Sequence, residues 1–220
     1  MRPPVLEMRG IRKSFPGVVA LDGVDLSLQA GEVHVLLGEN GAGKSTLMKI
    51  LSGAYRKDAG DILMNGAPAG IQEPGDALAH GIRVIYQELS LIPHLSVAEN
   101  IFLGAAPTNF GVLIDWRQLH NRAARLLADL GMEMAPSTPL HRLSLAQRQM
   151  VEIAKALATQ ASVLVMDEPT SALTSREVDQ LFALIARLTA RDVAIVYILI
   201  ASTKCTESVT ASRCCAMGAT

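Results

Sequence analysis

The octapeptide Gly38-Glu39-Asn40-Gly41-Ala42-Gly43-Lys44-Ser45 constrains this chain more than any other feature, because it fits the spacing G-x-x-x-x-G-K-[ST] in the context which that spacing needs. A compact apolar run, Glu32 to Leu37, precedes it, and Ser45 to Ser52 follows with Leu47, Ile50 and Leu51 at helical spacing. The order is strand, glycine loop, helix. Glycines let such a loop wrap so that successive backbone N–H groups, with the positive end of the helix, point at phosphate oxygens. Lys44 would then reach the β- and γ-phosphates of a nucleotide, and Ser45 would offer its hydroxyl to Mg2+.

A second segment supplies carboxylates for the same crevice. Ala161 to Met166 reads as a buried strand and ends in Asp167-Glu168. Acids at the carboxyl end of a parallel strand face the place where a phosphate loop opens. Asp167 is a candidate Mg2+ ligand through water. Glu168 is a candidate general base for an attacking water, the residue that separates hydrolysis from binding.

Around these motifs the pattern alternates. Val5 to Leu28 holds short apolar stretches punctuated by Gly10, Pro16-Gly17 and Asp22-Gly23, which predicts brief strands joined by tight turns in a small antiparallel sheet. A strand is predicted at Gly81 to Tyr86, ending at Gln87. From about 95 to 157 the spacing is helical, with Leu119, Ala123, Leu126, Leu127 and Leu130 on one face and Met150, Ile153, Ala154 and Leu157 on another. A helix at Glu177 to Leu188 and a strand at Val193 to Ile198 complete a parallel α/β sheet carrying a helical insertion.

Composition narrows the partners. Twenty Lys+Arg against twenty-one Asp+Glu leave a net charge of −1, so no whole-chain field favours nucleic acid or an anionic membrane surface. The apolar run Val193 to Ile200 is well short of the roughly 20 residues a membrane helix needs. No secretory signal is read at the amino terminus, so a cytoplasmic location is expected.

Leu143-Ser144-Leu145-Ala146-Gln147 stands before a predicted helix from Met150 to Ala158, and Ser144 with Gln147 makes a capping box. The bland reading is a well-capped helix. The sharper one uses the same hydroxyl and free N–H groups as an anion site for another subunit's γ-phosphate.

Taken in order, Gly38 to Ser45, Gln87 after a strand, Leu143 to Gln147, and Asp167-Glu168-Pro169-Thr170-Ser171-Ala172-Leu173 resemble an ABC transporter ATPase over residues 5 to 198. Lys13 to Val18, Gly31-Glu32-Val33-His34, and Leu143 to Gln147 joined to Met150 through Leu157 are similar to the carbohydrate-import branch that serves ribose, galactose, arabinose and xylose. The resemblance implies an α/β P-loop NTPase core with a parallel sheet, a small antiparallel β-subdomain and an inserted helical subdomain. It implies that Phe15 stacks on adenine, that Gly38 through Thr46 bind ATP, and that Gln87 touches Mg2+ and reports to membrane permease subunits. Glu168 would be the general base. Ser144, Ala146 and Gln147 would close over ATP held by a second nucleotide-binding domain, in the same chain or a second copy. Leu145 and Ala146 replace the two glycines usual in the family, and their side chains limit backbone approach to phosphate. A sugar-binding protein would act indirectly, and the chain would sit on the inner face of the membrane through the permease.

Two departures accompany the resemblance. Members of that branch carry two nucleotide domains per chain, and the switch histidine expected after Val193 to Ile198 is absent: His34, His80, His94, His120 and His141 all lie upstream. Residues 199 to 220 also lose periodicity, and fourteen of those twenty-two are Ser, Thr, Cys or Ala. All three cysteines, Cys205, Cys214 and Cys215, fall there, which is no disulfide framework. Back-translated from Ile200 and read one base earlier, the tail accommodates His-Arg-Leu-Asp-Glu-Val-Tyr-Arg-Val-Cys-Asp-Arg-Val-Thr-Val-Leu-Arg-Asp-Gly, which resembles the missing histidine loop and later strands. A one-base deletion near codons 198 to 199 is therefore the expected origin of the tail.

The leading reading is an ATP-hydrolysing subunit of a sugar importer. The alternative is a truncated fragment that holds ATP and Mg2+ through Lys44 and Ser45 but turns over slowly for want of the histidine. An ABC ATPase acting on nucleic acid is disfavoured by the neutral charge, and a P-loop kinase leaves Leu143 to Gln147 no use beyond capping.

Overall fold

Ten residues of β1 (Leu6–Phe15) pair antiparallel with eleven of β2 (Val18–Leu28), closing at Phe15 opposite Val18 across the two-residue turn Pro16-Gly17. The computed structural model describes residues 3–39, 41–86, 88–109, 113–159, 161–170, 173–200 and 214–216. These are two long strands rather than the brief strands expected. Gly10 (φ 58°) and Gly23 (φ 68°) lie inside them at irregularities of register. A left-handed glycine lets a strand take a bulge and continue. The Asp25 carboxylate accepts the Gly10 N–H at 2.6 Å, satisfying a donor freed by the irregularity. Alternation puts Leu6, Met8, Ile11, Leu26 and Leu28 inward.

This sheet gains β4 (Ala59–Met64) and β5 (Ala67–Pro68), in the order β2-β1-β4-β5. Between its second and third members in sequence run β3 (Val33–Gly38) and α1 (Lys44–Leu51). After it come α2 (Pro74–Ala79) and β6 (Ile82–Ile85), then α3 (Val97–Ile101), the short pair β7 (Thr108–Asn109) and β8 (Leu113–Ile114), and α4 (Trp116–Asp129). The chain continues through α5 (Leu145–Leu157), β9 (Val163–Asp167), α6 (Ser175–Thr189), β10 (Ala194–Ile200) and β11 (Cys214–Ala216).

The second large sheet has the order β11-β3-β10-β9-β6, with β11, β3, β10 and β9 parallel. Its central strands read as unbroken apolar runs because both faces are covered. Val163 to Met166 and Ala194 to Val196 are fully buried. Periodicity identified these strands within two residues. It gave no sign of β11, which pairs parallel with β3.

Two compact units result, Met1–Val84 with Ala161–Glu168 and Leu188–Thr220, and Ile85–Gln160 with Pro169–Arg187. The second contains the helical stretch from about 95 to 157. In it Leu119, Ala123, Leu127 and Leu130 of α4 face inward as the spacing predicts, while Leu126 is half-buried. Among the described residues, no helix is long and apolar enough to cross a membrane.

Candidate functional site

The register of the parallel sheet sets the site in the first unit. Ile198 of β10 pairs with Leu36 on one side and with Asp167 on the other. Strands stand about 4.8 Å apart, so the carboxyl ends of β3 and β9 lie about 10 Å apart across β10. Both ends open at the same edge, the place where a parallel sheet binds ligands.

From β3 the chain enters the phosphate loop. Gly41 has φ 88° and Gly43 φ 83°, conformations that side chains other than glycine rarely adopt. At Gly43 a Cβ would also stand 2.6 Å from the Ala20 carbonyl oxygen. Gly43 is the N-cap of α1, with no side-chain acceptor and no acid in the first turn. No acidic side chain in its own first turn offsets the positive end of this helix.

Lys44 is 6% exposed, and its ammonium donates to the Gly38 carbonyl at 2.5 Å and the Glu39 carbonyl at 2.9 Å. It thus closes the loop on itself, which the sequence alone did not indicate. Ser45 is exposed and Thr46 half-buried.

Asp167 ends β9 half-buried. Burial pushes its carboxyl above the ordinary aspartate range, and the Lys44 ammonium pulls it partly back. Glu168 follows with φ 47°, a left-handed conformation for a residue that has a Cβ, and its N–H donates to the Ile198 carbonyl at 3.2 Å. Such backbone strain, of order 1–3 kcal/mol, clusters at functional sites. Phe15, at the end of β1, is 37% exposed, with Tyr55 edge-on to its ring.

In the second unit Ser144 caps α5 as the sequence predicts. Its hydroxyl accepts the Gln147 N–H at 3.2 Å, and the Gln147 side-chain oxygen accepts the Ser144 N–H at 3.0 Å. Ser144, Leu145 and Gln147 are exposed, whereas Ala146 is buried. Of the candidate residues, Asn40 and Gln87 lie outside the described residues.

Sequence reasoning missed the side chains that hold the segment after Gln87. Asn100 is fully buried. Its amide nitrogen donates to the carbonyls of Ile92, Leu95 and Ser96, and its oxygen accepts the Ile92 N–H at 2.8 Å. Glu152, on the otherwise apolar face of α5, accepts the Ser90 hydroxyl at 2.7 Å. A readable signal was the S-x-x-E box Ser96–Glu99 that starts α3.

A parallel sheet opening on a glycine loop, with a buried lysine and a strand-end acid pair at the same edge, defines a phosphate-loop nucleotide-binding unit. Residues 21–171 match the family model described as ABC transporter, and the chain belongs to that family. It is 58% identical over 195 residues to a protein named ribose import ATP-binding protein RbsA 1 of Rubrobacter xylanophilus, covering 89% of this chain and 39% of that one. It is also 58% identical over 195 residues to a putative ribose/galactose/methyl galactoside import ATP-binding protein 1 of Burkholderia ambifaria, covering 88% and 37%. The chain thus spans about two-fifths of the length of these curated relatives. Among solved structures it resembles an ATP-binding cassette of an ABC transporter in its ADP conformation. There the TM-score is 0.77 at 26% identity, with 90% of this chain and 80% of that one covered. A nucleotide-free ATP-binding cassette gives 0.76 at 26% identity, covering 91% and 82%.

Proposed function

We propose that this chain is the nucleotide-binding part of an ATP-hydrolysing subunit that energises import of a monosaccharide of the ribose or galactose kind. The observation that carries this reading is the meeting of Lys44, the uncapped start of α1 and Asp167 at one edge of the parallel sheet. The names of the relatives in Rubrobacter xylanophilus and Burkholderia ambifaria support the sugar.

ATP is the substrate in this reading. The loop from Gly38 to Thr46 binds its phosphates through backbone N–H groups, and Lys44 exchanges its loop carbonyls for phosphate oxygens. Phe15 stacks on the adenine. Mg2+ fits the donors described, the exposed Ser45 hydroxyl and Asp167 through water, and the sequence motif would add Gln87. The ion would supply charge neutralisation on the transferred phosphate. Burial raises the Asp167 carboxyl, and the Lys44 ammonium draws it partly back. Glu168 takes the proton of the attacking water.

Ser144 and Gln147 act on ATP held by a second nucleotide-binding domain, together with the Ala146 backbone. A membrane permease is the partner that fits the exposed Leu103, Leu113, Ile114 and Trp116 of the second unit. A sugar-binding protein would work through that permease, so the working place is the inner face of the membrane.

The test is Mg2+-dependent ATP turnover by the purified chain, with and without Glu168→Gln. Turnover abolished by that substitution while ATP binding persists supports the reading. ATP binding with no turnover in the parent chain overturns the hydrolytic part of it.

A further inference from the structure

We propose that Asp58 and Tyr55 are positioning residues for the nucleobase subsite, holding the Phe15 ring in place for stacking; this rests on the reading that Phe15 meets adenine. Three hydrogen bonds converge on the end of β1. The Asp58 carboxylate accepts from the Lys13 ammonium at 2.6 Å with one oxygen and from the Ser14 backbone N–H at 2.7 Å with the other. The Asp58 N–H donates to the Arg12 carbonyl at 2.9 Å. One residue therefore grips the three that lead into Phe15. These bonds also hold the Asp58 carboxyl below its usual range.

The ring itself is held from two directions. Tyr55 meets it with centroids 5.5 Å apart and planes at 68°, an edge-to-face pair. The Lys13 ammonium stands 5.6 Å from the Phe15 centroid, so its pairing with Asp58 also fixes a cation beside the ring. Tyr55 is half-buried against the core, and its N–H donates to the Lys49 carbonyl at 3.0 Å while the Lys49 ammonium lies 5.1 Å from its ring.

Lys49 belongs to the last turn of α1, the helix whose first turn carries Lys44 and Ser45. Segment 55–58 thus ties the phosphate loop to the base-stacking ring through one short, rigid helix. An aromatic platform held in its bound orientation spares the ordering cost of binding, whereas a Phe15 freed about χ1 would have to be ordered by the nucleotide.

The experiment compares equilibrium binding of ATP and of inorganic tripolyphosphate, each with Mg2+, to the full chain and to Phe15→Ala, Tyr55→Leu, Tyr55→Phe, Asp58→Asn and Lys44→Ala. Base stacking carries about 5- to 150-fold in affinity on alanine substitution, so Phe15→Ala is expected to weaken ATP by about 10-fold or more and leave tripolyphosphate unchanged. Tyr55→Leu and Asp58→Asn are expected to weaken ATP about 3- to 10-fold, again with tripolyphosphate unchanged. Tyr55→Phe, which keeps the ring, restores parental affinity. Equal weakening of both ligands by Tyr55→Leu and Asp58→Asn would mark a general structural role and overturn the proposal. So would unchanged ATP affinity in those two variants when Phe15→Ala binds weakly. If Phe15→Ala binds ATP normally while Lys44→Ala loses both ligands, the stacking reading itself fails and the proposal with it. Should Tyr55→Leu not fold, Asp58→Asn, at an exposed position, carries the comparison.

Discussion

Lys44 is the cation that partly offsets the burial of Asp167: the carboxyl is raised by its surroundings and drawn back by the ammonium one loop away. The same ammonium holds the Gly38 and Glu39 carbonyls. One side chain thus serves the shape of the phosphate loop and the charge state of its acid.

Asp167→Asn is expected to raise the melting temperature of the ligand-free chain at about pH 7. A carboxyl whose pKa is raised on folding binds its proton more tightly in the folded state. Its ionisation therefore costs stability above the folded value, and that cost fades as pH falls toward the ordinary aspartate range. The advantage of Asn should shrink toward about pH 4, while Mg2+-dependent ATP affinity falls at neutral pH. Thermal melts across pH check the first part and titration with ATP the second.

Glu168→Gln should preserve ATP binding and lower turnover by about 10^2- to 10^4-fold, the usual contribution of a general base. Single-turnover kinetics beside equilibrium binding separate the two effects. Equal loss of binding and turnover would assign Glu168 to holding the nucleotide instead.

Gly43→Ala should destabilise the first unit by about 1–3 kcal/mol and abolish ATP binding. The φ of 83° strains any residue with a Cβ, and the added carbon meets the Ala20 carbonyl at 2.6 Å. Denaturant melts and ATP titration read both consequences.

Ser144→Asp separates the two roles of the α5 cap. Aspartate caps a helix about as well as serine, so stability should change by less than about 0.5 kcal/mol, whereas Ser144→Ala should cost about 1 kcal/mol. In the proposed reading the added negative charge would face the γ-phosphate held by a second domain, so Ser144→Asp should lose turnover more completely than Ser144→Ala. Equal turnover in the two variants would sink the anion-site role.

The tail is expected to be a reading-frame product. Resequencing the source DNA across codons 190 to 220 should restore one base near codon 198. An unchanged DNA sequence would make residues 199–220 genuine.

Much of the site was legible before any coordinates because its parts are local. A glycine loop before Lys44 needs only its neighbours to fold around phosphate, and the Ser144–Gln147 box closes within four residues. Gly10 and Gly23 misled for the same reason. Read locally, a glycine marks a turn, yet pairing of β1 with β2 and β4 on both sides carried the strand through a bulge.

The sequence by itself determined the phosphate loop, the acid pair that ends β9, the capped start of α5 and the alternation of strands with helices. Each follows from dihedral preference, apolar period or capping within a few residues. Only the tertiary structure decided that Leu36 and Asp167 share the level of Ile198, that Lys44 moderates the burial of Asp167, and that Asp58 grips the approach to Phe15. Those relations join residues 31 to 162 positions apart in the chain, where pairing register and burial set the distances and no local pattern records them.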